Sequence, residues 1–191
     1  MFRLLFLILL NFTGGILPVM AGSYQIDSAH TAVYFSASHF DRTFMRGRFM
    51  GIQGVIEFDA VQKSGRLDIN IDPDTVDTGL RGLDVILKSA QFLDTKEFQV
   101  VRFQSNRFEF DGAQLQAVHG ALTLHGKTLP VVLRATRFSC GEVKFLVLRR
   151  MVCGGDFQAK IQRSDFGMRH ALPDVGDTVT LEISVEATPI K

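Results

Sequence analysis

The sequence predicts an all-β fold, a barrel of about eight antiparallel strands with one short helix. Three observations carry that reading. Apolar residues recur at every second position along most of the chain, turn-forming residues punctuate the runs, and a single stretch changes to helical spacing. A sandwich would share the first two features; a barrel with its helix packed on or across one end is the simplest architecture for all three.

Ahead of the strands, Met1 to Ala21 reads as a cleavable export signal. Arg3 supplies the basic start, Leu4 to Leu10 the apolar run, and Val19-Met20-Ala21 the small-residue pattern that places cleavage after Ala21. The run breaks at Asn11, Gly14, Gly15 and Pro18, well short of the roughly 20 apolar residues a membrane span needs. The expected mature protein, residues 22–191, is exported, soluble and of a size for one domain.

The strands follow in order. Thr31 to His39 sets Val33, Phe35 and Ala37 on one face, and Ile52, Gly54, Ile56 and Phe58 alternate with Gln53, Glu57 and Asp59. Leu67, Ile69 and Ile71 then oppose Asp68, Asn70 and Asp72. Val100 to Arg107, Leu115 to Leu124, Thr128 to Phe138 and Phe157 to Arg163 are further strand candidates. The chain ends on Val179, Leu181, Ile183 and Val185 set against Thr180, Glu182, Ser184 and Glu186. One dry and one wet face per strand implies antiparallel pairing. Lys63-Ser64-Gly65, Asp111-Gly112, His125-Gly126-Lys127 and Asp174-Val175-Gly176-Asp177 supply the turns. From Gly79 to Ala90 the apolar positions Leu80, Leu83, Ile86, Leu87 and Ala90 fall three and four apart, which predicts the helix, with Asp77 or Thr78 as its cap.

Charge excludes some functions. The chain carries 21 basic and 20 acidic residues, and the signal removes one of the former, so no basic face is expected for nucleic acid. Basic runs are short, Arg149-Arg150 being the longest, so no polybasic patch for a membrane surface is expected.

Cys140 and Cys153 are the only cysteines, and in an exported chain they predict a disulfide, worth up to ~3 kcal/mol by the chain-entropy argument, that pins a hairpin around Phe145 to Leu148. Two thiols are too few for a zinc site. His119 and His125 would stand ~20 Å apart on a straight strand, too far to share a metal. Ser164 lacks the Gly-rich elbow and oxyanion loop of a hydrolase, so Arg163-Ser164-Asp165-Phe166-Gly167 is expected to be a turn, with Arg163 on a carboxylate and no catalytic residue. Aromatic content is nearly all phenylalanine, 17 residues against two tyrosines and no tryptophan. Such rings need no hydrogen-bond partner. They either fill a small barrel or line an apolar cavity.

Several blocks, taken in order, resemble the YceI-like family of exported lipid-binding proteins. They are Tyr24-Gln25-Ile26-Asp27-Ser28-Ala29-His30-Thr31, then Arg46-Gly47-Arg48-Phe49, Gly54-Val55-Ile56-Glu57-Phe58-Asp59, and Leu87-Lys88-Ser89-Ala90-Gln91-Phe92-Leu93-Asp94. Leu122 to Val131 and Arg163-Ser164-Asp165-Phe166-Gly167-Met168 complete them. The resemblance runs from Tyr24 to about Ala187. It implies an extended, lipocalin-like antiparallel barrel that holds a long-chain amphiphile, of isoprenoid, isoprenoid-quinone or fatty-amide type, in a periplasmic protein that often dimerises. Two departures stand out. Leu83-Asp84-Val85-Ile86-Leu87 replaces the family's Arg-Asp-x-His-Leu, and Gln99 replaces a common proline after Phe98. Both helix changes favour a more apolar ligand.

A cavity of that kind would draw on Val33, Phe35, Ile56, Phe58 and Phe103 from the strands, and on Phe40, Phe44, Phe49, Phe92 and Phe166 from strand ends and connections. Leu83 and Leu87 would add the helix, and His39 and Arg46 or Arg48 would hold the ligand's polar end. The expected function is a non-enzymatic periplasmic carrier or sequestering protein, with no cofactor besides the lipid and with transient contact to the membrane or its enzymes. A prenyl-lipid enzyme using His39 or Asp165, and a stress-related interaction module with a filled barrel, are the alternatives.

Overall fold

A computed structural model of the protein describes residues 22–59 and 61–190. The expected signal, residues 1–21, lies outside the described residues. The strands are β1 (Gly22–Ile26), β2 (Ala32–His39), β3 (Thr43–Phe49), β4 (Ile52–Asp59), β5 (Ser64–Ile71), β6 (Val101–Asp111), β7 (Gln114–Leu124), β8 (Lys127–Phe145), β9 (Leu148–Gln162) and β10 (Val175–Pro189). A short 3-10 turn, Pro73–Thr75, and one helix, α1 (Arg81–Lys88), lie between β5 and β6.

The ten strands make a closed eight-stranded antiparallel barrel because two pairs of them act as single bent strands. β1 and β2 both pair with β10, Ile26 opposite Ala187 and Ala32 opposite Ser184, with a bend between them. On the other side β1 pairs with β4 and β2 with β3. Closure leaves few free edges to template aggregation. β3 is an exception. Beyond β2, its outer edge makes among the described residues only a bridge from Arg48 to Asp77, and the 3-10 turn lies beside it.

The alternation located eight strands and missed β1 and β3. β1 is short and offers only Tyr24 and Ile26 as buried positions. In β3 the inward position opposite Phe35 is Gly47, and Phe44 on the outer face is exposed, so apolarity and burial fall out of step. Gly47 leaves room for the Phe35 ring, which a Cβ at that position would approach to 2.5 Å. The β8–β9 hairpin reaches further than predicted, and Cys140 and Cys153 are directly opposed and disulfide-bonded along it. The predicted turn segments at Ser64-Gly65 and Val175-Gly176-Asp177 belong instead to the adjoining strands.

The helix is a turn shorter than its apolar spacing suggested, and its cap is a correction. Leu80 occupies the cap position without a side-chain bond. Asp84 instead reaches back to the Thr78 amide and hydroxyl, at 2.8 and 2.7 Å, while Asp77 accepts from the Gly79 amide. The carboxylate inside the first turn thus ties down the preceding loop and also suits the positive end of the helix dipole.

Two apolar clusters fill the barrel. One gathers Val101, Phe103, Val118, Leu122, Phe157, Ile161 and Phe166, the other Tyr24, Ile26, Val33, Ile52, Phe58 and Ala187. Ile71, Phe108, Phe138 and Leu181 pack against both, so the core is continuous.

Candidate functional site

Antiparallel topology gives the barrel two unlike ends. The β4–β5, β6–β7 and β8–β9 turns share one. Here Phe58 meets the rings of Phe108, Phe110 and Phe138 at 6.4, 6.2 and 5.2 Å, closing the end with phenyl groups. The opposite end carries the β2–β3 and β7–β8 turns, α1, and the connection from Arg163 to Asp174.

Two cavities lie along the axis. The one toward the phenyl cluster has a volume of about 140 Å³ and is lined by Tyr24, Val33, Ile56, Phe58, Phe103, Phe108, Phe138 and Phe157, among others. The one under the helix has about 160 Å³ and is lined by Phe35, Ala37, Phe49, Leu87, Phe92, Leu93, Met168 and Val175, among others. Val33, Ile71, Leu122 and Leu181 border both, so the two cavities adjoin end to end and make an apolar channel divided at these four side chains. Apolar cavities of about 150 Å³ stay dry and accept a hydrocarbon guest.

The one charged residue on the channel is Arg163, which is buried and meets the cavity through carbon alone. Its guanidinium is otherwise engaged. Nε donates to the Gly176 carbonyl at 3.0 Å, Nη1 to that of Met168 at 2.8 Å and Nη2 to that of Val175 at 2.7 Å. The Phe92 ring stacks beneath the charge at 5.8 Å. Burial pushes this guanidinium below the ordinary arginine range, against an opposing pull from Asp177. Asp177 itself accepts from the Ser164 hydroxyl at 2.6 Å and amide at 2.8 Å. These bonds, with the field of Arg163, hold its carboxyl below the usual carboxylate value despite partial desolvation. Arg163 and Ser164 therefore clamp the connection that closes the helix end. The expected carboxylate partner of Arg163 is replaced by three carbonyls because the returning loop presents them first.

Of the predicted ligand set, Val33, Phe35, Phe49, Ile56, Phe58, Leu87, Phe92 and Phe103 border the channel. Six others do not. His39 ends its strand: Phe40 and Asp41 take φ of 53° and 50°, turning the chain, and the imidazole packs against Phe40 at 4.4 Å instead of continuing inward. Phe40 and Phe44 are exposed, and Arg46 lies over the Phe44 ring on the outer face. Arg48 is bound to Asp77 at 3.0 Å and faces away from the cavity. Leu83 is half-buried, one turn before Leu87, and borders neither cavity. Phe166 is buried in the core and borders a groove outside the channel, where β8 residues Leu129 to Val132 and β9 residues Ala159 to Gln162 have no ladder between them.

Ile86, which stands where the family has histidine, is exposed, so that departure changes the solvent side of α1 and leaves the cavity side with Leu87. The lining that the sequence reading overlooked, Tyr24, Phe108, Phe138 and Met168, comes from the missed β1, from the ends of long strands and from a loop. Tyr24 alone had a legible signal, its alternation with Ile26.

The other histidines are also accounted for, His170 lying edge-on to the Phe92 ring at 5.4 Å. His119 pairs with Glu109 at 2.6 Å, and His125 bonds the Phe166 carbonyl at 3.1 Å with its ring against Phe98. Asp27, His30 and Glu186 cluster at the β1–β2 bend, where Asp27 accepts from the Ala29 amide and faces His30 at 3.0 Å, the bonding of an ordinary turn. Among the described residues no helix is long and apolar enough to cross a membrane.

This architecture matches known proteins. Residues 24–187 match the YceI-like domain. A UPF0312 protein of Shewanella denitrificans is 32% identical over 171 residues, covering 88% of each chain. The crystal structure of the Campylobacter jejuni YCEI protein superposes with a TM-score of 0.70 at 25% identity, over 81% of this chain and 90% of that one. A polyisoprenoid binding domain from Saccharophagus degradans shares the fold at 17% identity, with a TM-score of 0.61 over 87% of this chain and 98% of its own. With a closed apolar barrel, a match across nearly all described residues and a relative this similar, the chain belongs to the YceI-like family.

Proposed function

We propose that this protein binds a long-chain isoprenoid-type amphiphile in the periplasm, taking the hydrocarbon part into the barrel as a carrier or sequestering protein without covalent chemistry. The observation that carries this reading is the pair of apolar cavities that adjoin at Val33, Ile71, Leu122 and Leu181, whose single charged neighbour offers them only carbon. Such walls accept methylene and isoprene units and offer nothing to a polar head, which stays at the helix end. The polyisoprenoid binding by the domain of the same fold points to the same ligand class. The disulfide suits an oxidising compartment.

Energetics require a long ligand. Ten buried methylenes give ~8 kcal/mol gross, the same order as association costs of ~4 to 15 kcal/mol. Only a longer chain in a preformed cavity binds well. An enzyme is disfavoured because His39 lies off the channel and Asp165 borders the outer groove, so neither candidate acid or base meets a buried ligand.

Native mass spectrometry of protein from periplasmic extract, followed by organic extraction, tests the reading. A stoichiometric long-chain adduct is expected. Val33→Phe, which narrows the junction of the two cavities, should shift the retained ligands toward shorter chains. Protein that stays bare and refuses added prenyl lipids would overturn it.

A further inference from the structure

The β8–β9 hairpin runs past the Cys140–Cys153 bond, and none of residues 141–151 borders the channel. Its tip is the most exposed apolar stretch among the described residues: Leu146, Val147 and Leu148 show 78%, 92% and 69% of their surface to solvent. Leu146 also holds a φ of 55°, a left-handed turn conformation that asparagine and glycine adopt more readily than leucine. The β6–β7 turn at the same end uses the expected chemistry, Asp111-Gly112 with Gly112 at φ 57°. Neither local backbone preference nor burial within this chain accounts for leucine and valine at the tip.

Charge identifies the partner. Folding sets Lys144 directly across from Arg149, and Val143 across from Arg150, which places cations on both faces of the hairpin within two or three residues of the tip. Glu142, 3.2 Å from Arg149, is the one carboxylate in the group. In the linear sequence these cations form no run longer than two; the hairpin register assembles them. The rest of the chain is near neutral, since the whole carries a net charge of +1. An apolar point inside a cationic collar, stapled at its base, fits a surface with acidic head groups over hydrocarbon.

We propose that the β8–β9 hairpin docks this protein on anionic lipid bilayers, with Leu146, Val147 and Leu148 entering the interface and Lys144, Arg149 and Arg150 contacting acidic head groups. The contact is independent of the channel and does not rest on the ligand proposed above. It also leaves the helix end facing away from the bilayer.

The test is co-sedimentation with vesicles of phosphatidylethanolamine and phosphatidylglycerol, against vesicles of phosphatidylcholine alone. Binding is expected to the first only and to weaken with salt. Replacing Leu146→Asn with Val147→Gly installs the turn the backbone prefers, so the protein should fold at least as well yet lose about tenfold or more in vesicle affinity. Lys144→Glu and Arg150→Glu should each cost about fivefold or more. Wild-type protein that ignores the acidic vesicles, equal binding to both compositions, or undiminished binding by the Asn-Gly variant would overturn the proposal. So would a dimer that the Asn-Gly change dissolves without affecting vesicle binding, since the tip would then serve a second copy. Prenyl-lipid loading followed on the same variant separates the two proposals: it should be unchanged, and its absence from every variant and the wild type would count against the ligand reading alone.

Discussion

The two ends of the barrel are built from the same residue type to different effect. At the turn end, Phe58 borders the cavity on one side but lies against three other phenyl rings, and only 5% of it remains exposed. At the helix end, Phe35 meets Phe49 at 5.4 Å, Phe92 lies under Arg163, and all three rings border open cavity. A phenylalanine count cannot separate packing from lining. What separates them is the number of neighbours a ring finds, and that is set by which strands close on it.

The largest expected effect tests that difference directly. Phe58→Ala should destabilise by about 3–5 kcal/mol, because three rings lose a partner and the closed end cannot collapse around the gap. Phe35→Ala should cost less, about 2 kcal/mol, since the ring packs against the single ring of Phe49 where Phe58 has three such neighbours. Urea denaturation of both variants measures the gap, and equal losses would remove the distinction between the ends. Lipid loading should rank them the other way, with Phe35→Ala altering which chains are retained more than Phe58→Ala does.

Next in size is the disulfide, which belongs to the turn end. Reducing Cys140–Cys153 should cost up to about 3 kcal/mol by the chain-entropy argument, less whatever the hairpin ladder retains unaided. Hydrogen exchange under reducing conditions should speed up first in residues 141–152 and leave the helix end protected. Uniform acceleration would mean that the bond supports the whole barrel and that the ends are not independent.

How much of this was legible in the sequence follows from the same contrast. Strands with one fully apolar face, such as Ile52 to Asp59 and Val179 to Val185, announced themselves, and so did the disulfide, because these signals are local. β3 was hidden, since its inward position is a glycine that yields its space to Phe35 on the neighbouring strand. A vacancy filled from across the ladder leaves no trace in the strand's own pattern. Parity carried Phe35, Ile56 and Phe58 correctly to the channel and failed at His39, where two residues of positive φ end the strand. The basic residues chosen for a ligand head, Arg46 and Arg48, were on a strand whose facing had not been recognised. Arg163 was noticed as part of a turn, but its three carbonyl partners depend on a loop closing 5 to 13 residues later.

The smallest expected effect concerns that loop and depends on pH. Asp177 is held below the ordinary carboxylate value of 3.8, first by the Ser164 hydroxyl and also by the Ser164 amide and the charges of Arg163 and Arg169, against the cost of partial burial. Its carboxylate therefore binds protons less readily in the folded protein than in the unfolded chain. The stability it contributes is complete above the unfolded value and is lost as pH falls through the lower, folded one. Because the group is partly solvated, the contribution should be on the order of 1 kcal/mol. Asp177→Asn should be less stable than wild type at pH 7 and lose less on acidification to about pH 3, so that the two curves converge. Asp68, lowered by Arg102 on the outer wall, supplies the contrast: its pair is exposed to solvent, and its contribution should fade in high salt. Curves for Asp177→Asn and wild type that stay parallel through the acid range would show that Ser164 and Arg163 hold the helix end without this carboxylate. Convergence would tie the closure of the helix end to a single ionised group.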